Sequence, residues 1–456
     1  MIMELPNYFI ADLHPEAALT AKMLREACDS LRQNRERYLR PRTTEQIIRI
    51  IARLADNWLD PEFPFRRHVL AKGPEATGFS ESILEHGLDC FFRQITSDSL
   101  TAFMQQELGH PGRLDTFRSD VTEQRFQRSA LAHGPQLLVH ICAGKLPNPT
   151  LTSIITGLLV QSAQVVKCAT GGSFIPRMFA HSLYQADPKM ASCLEIVEWR
   201  GGHEPELESV LFGECDVVTA TGADETLAAI RQQLPPNVRF IGYGHRVSFG
   251  YVASDALDGH SVDDLVRRAA DDIVAWDQLG CLSPHLFYVE AGGPTTPEKF
   301  AERLANELAG REHSTPRGRI HPDAAGAIAY RRSFYEVRSA SNSDTKLWKS
   351  DDSTAWTVIY EPEPQFQLSC LHRFVLVKGV AGLDEALAGL DAWREKISTV
   401  GLAAGDDKRR PYAERLARLG ASRICPIGRM QNPSLFWHHD GRPALADLVT
   451  WTDWEF

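Results

Sequence analysis

Gln136-Leu137-Leu138-Val139-His140-Ile141 opens the stretch of sequence that decides the fold. Four more short apolar runs follow it: Val165-Val166-Lys167, Leu194-Glu195-Ile196-Val197-Glu198-Trp199, Val217-Val218-Thr219-Ala220 and Val238-Arg239-Phe240-Ile241. Segments of helical periodicity lie among them, at about 150 to 162, 173 to 186 and 224 to 234. Short strands alternating with helices predict βαβ units around a parallel sheet, and hence an α/β fold. A second α/β stretch is expected from near Val252. It holds a helix at about 261 to 278, a strand from Leu286 to Glu290 and a helix from Pro297 to Gly310. Gly292-Gly293-Pro294 and the polar segment from Ser339 to Ser353 read as loops.

Upstream, two helices are predicted. One runs from Glu16 to Leu39. The other opens on the capping-box pattern Thr43-Thr44-Glu45-Gln46 and sets Ile47, Ile51, Leu54 and Trp58 on one face, with Pro61 and Pro64 ending it. The rest of the first 130 or so residues carries a helical pattern and no recognisable motif. At the other end, Leu448-Val449-Thr450-Trp451-Thr452-Asp453-Trp454 alternates as a strand does.

A chain of 456 residues, 43% apolar and 24% charged, is ordinary globular protein with room for roughly three domains. Its net charge of -10 and isoelectric point near 5.9 argue against nucleic-acid binding, which calls for a basic surface. Lys408-Arg409-Arg410 reads as a solvated loop. The N-terminus lacks a basic flank before an apolar stretch, and no apolar run approaches the length needed to span a bilayer, so a cytoplasmic location is expected. Nine cysteines without C-x-x-C spacing fit a reducing compartment rather than a disulfide framework or structural zinc site. The sixteen histidines show no metal-ligand spacing, and no metal is expected.

Cys281, in Asp277-Gln278-Leu279-Gly280-Cys281-Leu282-Ser283-Pro284-His285, stands between a helical segment and an apolar β-rich run, and is the candidate nucleophile. For cofactor binding there is no G-x-G-x-x-G after a strand. Thr219-Ala220-Thr221-Gly222-Ala223-Asp224-Glu225 offers a related device. It joins a strand to a helix expected from Glu225 to Leu234, so backbone N–H groups at Thr221, Gly222 and Ala223 would meet a pyrophosphate at the helix N-terminus. Lys167 ends an apolar strand, at the sheet edge where open α/β sheets bind ligands.

Five segments, in order, resemble the acyl-CoA reductase family, which includes the fatty-acid reductase subunit of bacterial luminescence and is a branch of the aldehyde dehydrogenase superfamily. They are His140-Ile141-Cys142-Ala143-Gly144-Lys145-Leu146-Pro147, then Gly157 to Lys167, then Gly242-Tyr243-Gly244-His245-Arg246-Val247-Ser248-Phe249, the cysteine segment, and Ser422 to Gly428 with Trp437-His438-His439-Asp440-Gly441. The resemblance implies an aldehyde dehydrogenase-like architecture. Residues 1–130 would join the cofactor domain, 131–251 would form a Rossmann-like NAD(P)-binding domain, 252–425 a catalytic domain, and 426–456 a bridging segment whose last strand serves oligomerisation.

It also implies reduction of an acyl thioester, from CoA or an acyl carrier, to an aldehyde through an acyl-cysteine. Lys167 would hold the adenosine ribose, and Thr221, Gly222, Ala223 and Gly244 would lie beside the cofactor. Many superfamily members follow this lysine with Pro-x-Glu, whose carboxylate accepts the ribose hydroxyls. Here Thr170 stands in that place, which removes a charge that repels a 2′-phosphate; NADPH is therefore expected, with NADH as the alternative. The glutamate that activates water in hydrolysing aldehyde dehydrogenases has no counterpart in Phe240 to His245, which suits a site that must preserve its thioester. His245 is a candidate acid or base. The family's oxyanion-binding asparagine is replaced by Lys145, which would serve as an ammonium, or Asn148 would substitute from the same loop; the Cys281 N–H is the other implied donor. An acyl-protein synthetase partner and a homo-oligomer are implied as well. Two other readings stay open: a cysteine hydrolase pairing Cys281 with His285 or His245, and a non-catalytic scaffold of this fold.

Overall fold

The computed structural model describes residues 5–14, 17–257 and 261–456. The chain divides into two compact units. One comprises the described residues up to Thr77, Leu88–Gly244 and Ser434–Phe456; the other comprises Gly78–Gly87 and His245–Pro433.

The first unit opens with helices. Ala21–Asn34 is capped by the Thr20 hydroxyl, which accepts from the Met23 N–H, and it continues through a π-helical turn, Arg35–Leu39. The expected start at Glu16 lies outside the described residues. Thr44–Leu59 begins with the anticipated capping box between Thr43 and Gln46. Its apolar face ends in Trp58, fully buried, which stacks on Phe92 at 5.2 Å and donates its indole N–H to Ser182 Oγ at 3.0 Å. Pro64 does not close this helix; it opens the next one, Pro64–Thr77, because the first turn of a helix needs no N–H from proline.

The strands of this unit are β1 (Arg128–His133), β2 (Leu137–Ile141), β3 (Ala163–Cys168), β4 (Leu194–Glu198), β5 (Val217–Thr221) and β6 (Arg239–Tyr243). The last five form one parallel sheet in the order β4-β3-β2-β5-β6. All six residues of β3 are buried, as befits a parallel strand covered by helices on both faces. Chain order reverses between β2 and β5, so the crevice at their C-terminal ends is where such a sheet binds ligands. His140 sits in β2 with its Nδ1 2.7 Å from Thr219 Oγ1 of β5, and burial holds its pKa down to about 3.

The second unit carries β7 (Val247–Val252), β8 (Pro284–Glu290), β9 (Lys346–Lys349), β10 (Thr357–Glu361), β11 (Phe374–Val380), β12 (Ile397–Ala403) and β13 (Arg423–Pro426). They form a seven-stranded sheet, β13-β12-β7-β8-β11-β10-β9, parallel except for β9. One apolar cluster covers each face: Phe249, Tyr288 and Leu376 point into one, Phe287, Val289 and Val375 into the other. The expected helices appear as Val262–Val274, after which the chain leaves the helix before Gln278, and Pro297–Ser314. The segment from Ser339 to Ser353, read as a loop from its polarity, instead contains the end of the helix Pro322–Ser341 and β9. A sheet-edge strand and an exposed helix end both tolerate polar residues, so polarity alone misleads there.

β14 (Thr450–Glu455) returns to the first unit, where it pairs antiparallel with β1. All six of its residues are exposed. Among the described residues no helix is long and apolar enough to cross a membrane.

Candidate active site

In the second unit Cys281 follows a strained turn. Trp276, Asp277 and Gln278 adopt positive φ values of 52°, 51° and 63°, a left-handed run that non-glycine residues avoid unless their surroundings enforce it. The enforcement is visible. Trp276 is buried against Phe79, with ring centroids 5.2 Å apart. Asp277 forms a buried ion pair with Arg373 at 2.8 Å and accepts from the Gly318 N–H at 2.9 Å. Gln278 donates to the carbonyls of Pro284 and Phe374, at 2.8 and 2.9 Å. Beyond the turn, Ser248 Oγ donates to the Cys281 carbonyl at 2.8 Å and accepts from the Thr399 N–H at 3.1 Å. Gln431 hydrogen-bonds the Ser283 hydroxyl.

Exposure separates Cys281 from the other cysteines. No disulfide joins any of the nine, and Cys281 alone is exposed. Burial pushes the thiols of Cys142 and Cys425 up to about 11 and those of Cys28, Cys193 and Cys215 up to about 12, so these remain protonated at neutral pH.

Two histidines accompany the thiol within this unit. His285 is pulled down to about 4, first by burial and then by the proximity of His245. Its Nδ1 accepts from the Ser369 N–H at 3.2 Å. A neutral imidazole that accepts at Nδ1 carries its proton on Nε2, so the ring has no basic nitrogen left for a thiol. The His245 ring lies 6.2 Å from that of Trp393.

In the first unit, the C-terminal ends of the strands carry the remaining expected residues in two groups. Thr221 ends β5, Gly222 donates its N–H to Tyr243 O at 3.2 Å, and the helix Asp224–Gln233 begins after Ala223, which offers no side-chain cap. The absence of a capping side chain leaves room for an anion at that N-terminus, although Asp224 and Glu225 already place carboxylates in the first turn. Gly244 has a local reason to be glycine: a Cβ there would stand 2.6 Å from Asp224 Oδ1.

The second group surrounds the turn after β3. Lys167 is buried, and its Nζ lies 5.7 Å from the Trp199 ring centroid. Burial holds the ammonium below the usual lysine range, against the opposing charge of Glu208. Thr170 is exposed at the start of the turn. Glu198, from the end of β4, accepts from the N–H groups of Gly171 at 2.7 Å and Ser173 at 3.2 Å, which fixes the turn. Lys145 and Asn148 occupy the loop after β2 and the helix it leads into. Lys145 is exposed; Asn148 Oδ1 is buried without a partner among the described residues. A 180° rotation of that amide presents a donor at the same point.

Sequence reasoning singled out Cys281 and these loops, and gave no sign of Ser248, Gln431, Glu198 or the strained turn. The turn has no compositional signature, since glycine or asparagine would be the ordinary sign of positive φ. The others act across long separations in the chain. Of the C-terminal histidines, His439 stacks on Tyr243 at 4.5 Å, a packing role in the first unit.

A family model described as acyl-CoA reductase (LuxC) matches residues 39–451. The chain is 23% identical, over 421 residues, to the long-chain acyl-protein thioester reductase of Aliivibrio fischeri, covering 90% of this chain and 82% of that protein. It is 21% identical over 422 residues to the enzyme of the same name from Vibrio harveyi, covering 92% and 84%. Among solved structures, an NAD-dependent benzaldehyde dehydrogenase from Corynebacterium glutamicum superposes with a TM-score of 0.71 at 13% identity, covering 96% of this chain and 91% of that one. Bifunctional proline utilization A superposes with a TM-score of 0.70 at 17% identity; there this chain covers 45% of the longer protein. The fold is that of the aldehyde dehydrogenases.

Proposed function

Because the chain belongs to the acyl-CoA reductase (LuxC) family, we propose that it reduces an acyl thioester to the aldehyde, with Cys281 as the nucleophile and NADPH as the preferred reductant. The observation that carries this reading is the lone exposed thiol behind an enforced left-handed turn. The relatives' names, long-chain acyl-protein thioester reductase, support the substrate class, a long-chain acyl group delivered on a protein or on CoA.

The Cys281 thiolate attacks the thioester carbonyl, the carrier thiol leaves, and an acyl-cysteine forms; this exchange of one thioester for another is nearly isoenergetic. Asn148 donates to the oxyanion. When bound, the reduced nicotinamide supplies the hydride that takes the acyl carbon to the aldehyde level. Collapse of the resulting thiohemiacetal at Cys281 releases aldehyde and restores the thiolate, with His245 handling the proton. The residues of the first unit fit a dinucleotide: Lys167 at the ribose, and the backbone of Thr221, Gly222 and Ala223 at the pyrophosphate. Phe240 to His245 contains no carboxylate in the place of the water-activating glutamate, which favours hydride transfer over hydrolysis. The neutral Thr170 favours NADPH. A cytoplasmic location, a homo-oligomer and an acyl-protein synthetase as donor belong to the same reading.

The test follows NADPH and NADH oxidation with acyl-CoAs from acetyl to palmitoyl and with an acyl-protein thioester, aldehyde being trapped, for the native protein and Cys281→Ala. Cysteine-dependent oxidation with stoichiometric aldehyde is expected. Acid release without cofactor would overturn the reading in favour of hydrolysis; His285, with its Nδ1 occupied, argues against that outcome.

A further inference from the structure

Lys145 has neighbours that an oxyanion donor does not need. Within the first unit, its loop lies against the turn after β3. A Cβ on Gly172 would stand 2.7 Å from Gly144 O, and one on Gly171 would stand 3.4 Å from Lys145 Cε and 3.6 Å from its Nζ. The ammonium therefore sits over the backbone of Gly171, next to Thr170, on the turn that follows Lys167 and that Glu198 holds. Lys145 is exposed and makes no hydrogen bond or ion pair among the described residues. Glu198 is the carboxylate on this turn, and both of its oxygens already accept from backbone N–H groups.

Lys145 thus brings an ammonium with no ion-pair partner to a turn whose carboxylate is already taken up by backbone N–H groups, at the sheet edge that the proposed function gives to the adenosine ribose. We propose that Lys145 is the specificity-determining residue for the 2′-phosphate of NADPH. Thr170 removes a repulsive charge, and Lys145 adds an attractive one. A 2′-hydroxyl gives the ammonium no charge to meet, so NADH gains nothing from it. The proposal rests on the reading of the first unit as the cofactor-binding unit.

Dissociation constants for NADPH, NADH, 2′,5′-ADP and 5′-AMP, measured by calorimetry on native protein, Lys145→Met, Lys145→Arg and Arg200→Ala, test it. Lys145→Met is expected to weaken NADPH and 2′,5′-ADP by about tenfold to a hundredfold, the scale of one charge-assisted hydrogen bond, while NADH and 5′-AMP stay within about twofold. Lys145→Arg, which keeps the charge, should retain most of the NADPH affinity. Unchanged NADPH binding in Lys145→Met, with thioester reduction slowed equally for both cofactors, returns the residue to the oxyanion and overturns the proposal. So does a loss confined to Arg200→Ala, the exposed cation that follows β4. Native protein that binds neither NADPH nor NADH refutes the cofactor reading itself, which is a separate result.

Discussion

Asn148 and Ser248 allow chemistry to be separated from positioning. Asn148 brings an unpartnered amide end to the loop after β2, and its loss removes a donor without disturbing a hydrogen bond of that side chain. Asn148→Ala is expected to lower kcat by about 100-fold to 1000-fold, with cofactor affinity unchanged. Ser248 ties the Cys281 carbonyl to the Thr399 N–H. Its replacement by alanine leaves both groups without that partner and lets the Cys281 backbone drift; steady-state kinetics should show kcat lower by about tenfold. A loss as large for Ser248→Ala as for Cys281→Ala would mean that the serine takes part in the chemistry.

At the scale of the element, the left-handed turn before Cys281 depends on Asp277 and Arg373, which are buried together. Asp277→Ala strands a guanidinium away from water and should destabilise the second unit by about 3 to 5 kcal/mol, readable as a lower urea midpoint. Here the sequence is a poor guide, because Trp276, Asp277 and Gln278 look like the tail of a helix, and only their long-range partners force them out of it. The parallel strands are another matter. Val165, Val166 and Val218 belong to short apolar runs, and burial on both sheet faces demands such runs, so β2 to β6 were legible within one or two residues at most ends. Polar segments hid structure instead: β9 lies within a stretch that reads as loop. In the site, Cys281 was legible by its surroundings in sequence, whereas its exposure, Glu198 on the β3 turn and Ser248 behind the thiol are products of tertiary contact.

For the whole molecule, buried groups set opposing pH limbs. His140 is held down to about 3, and His285 and His372 to about 4, all chiefly by burial. Unfolded, each regains a value of about 6.5, so their contribution is complete above that pH and is lost as pH falls toward the folded values. Burial pushes Glu195 up to about 8 and Asp272 up to about 7; their contribution is complete below the ordinary carboxylate range and is lost as pH rises through those values. Stability measured by urea unfolding should therefore peak at about pH 6.5. His140→Gln should reduce the loss between about pH 6.5 and 5 by about 2 kcal/mol relative to native protein. The order of the segments along the chain has a further consequence. β14, the partner of β1, is encoded after the whole of His245–Pro433. A ribosome adding about 5 to 20 residues per second spends roughly 10 to 40 s on that interval. Until it ends β1 waits in the nascent chain without this partner, while the stretch that bears Cys281 has already left the ribosome.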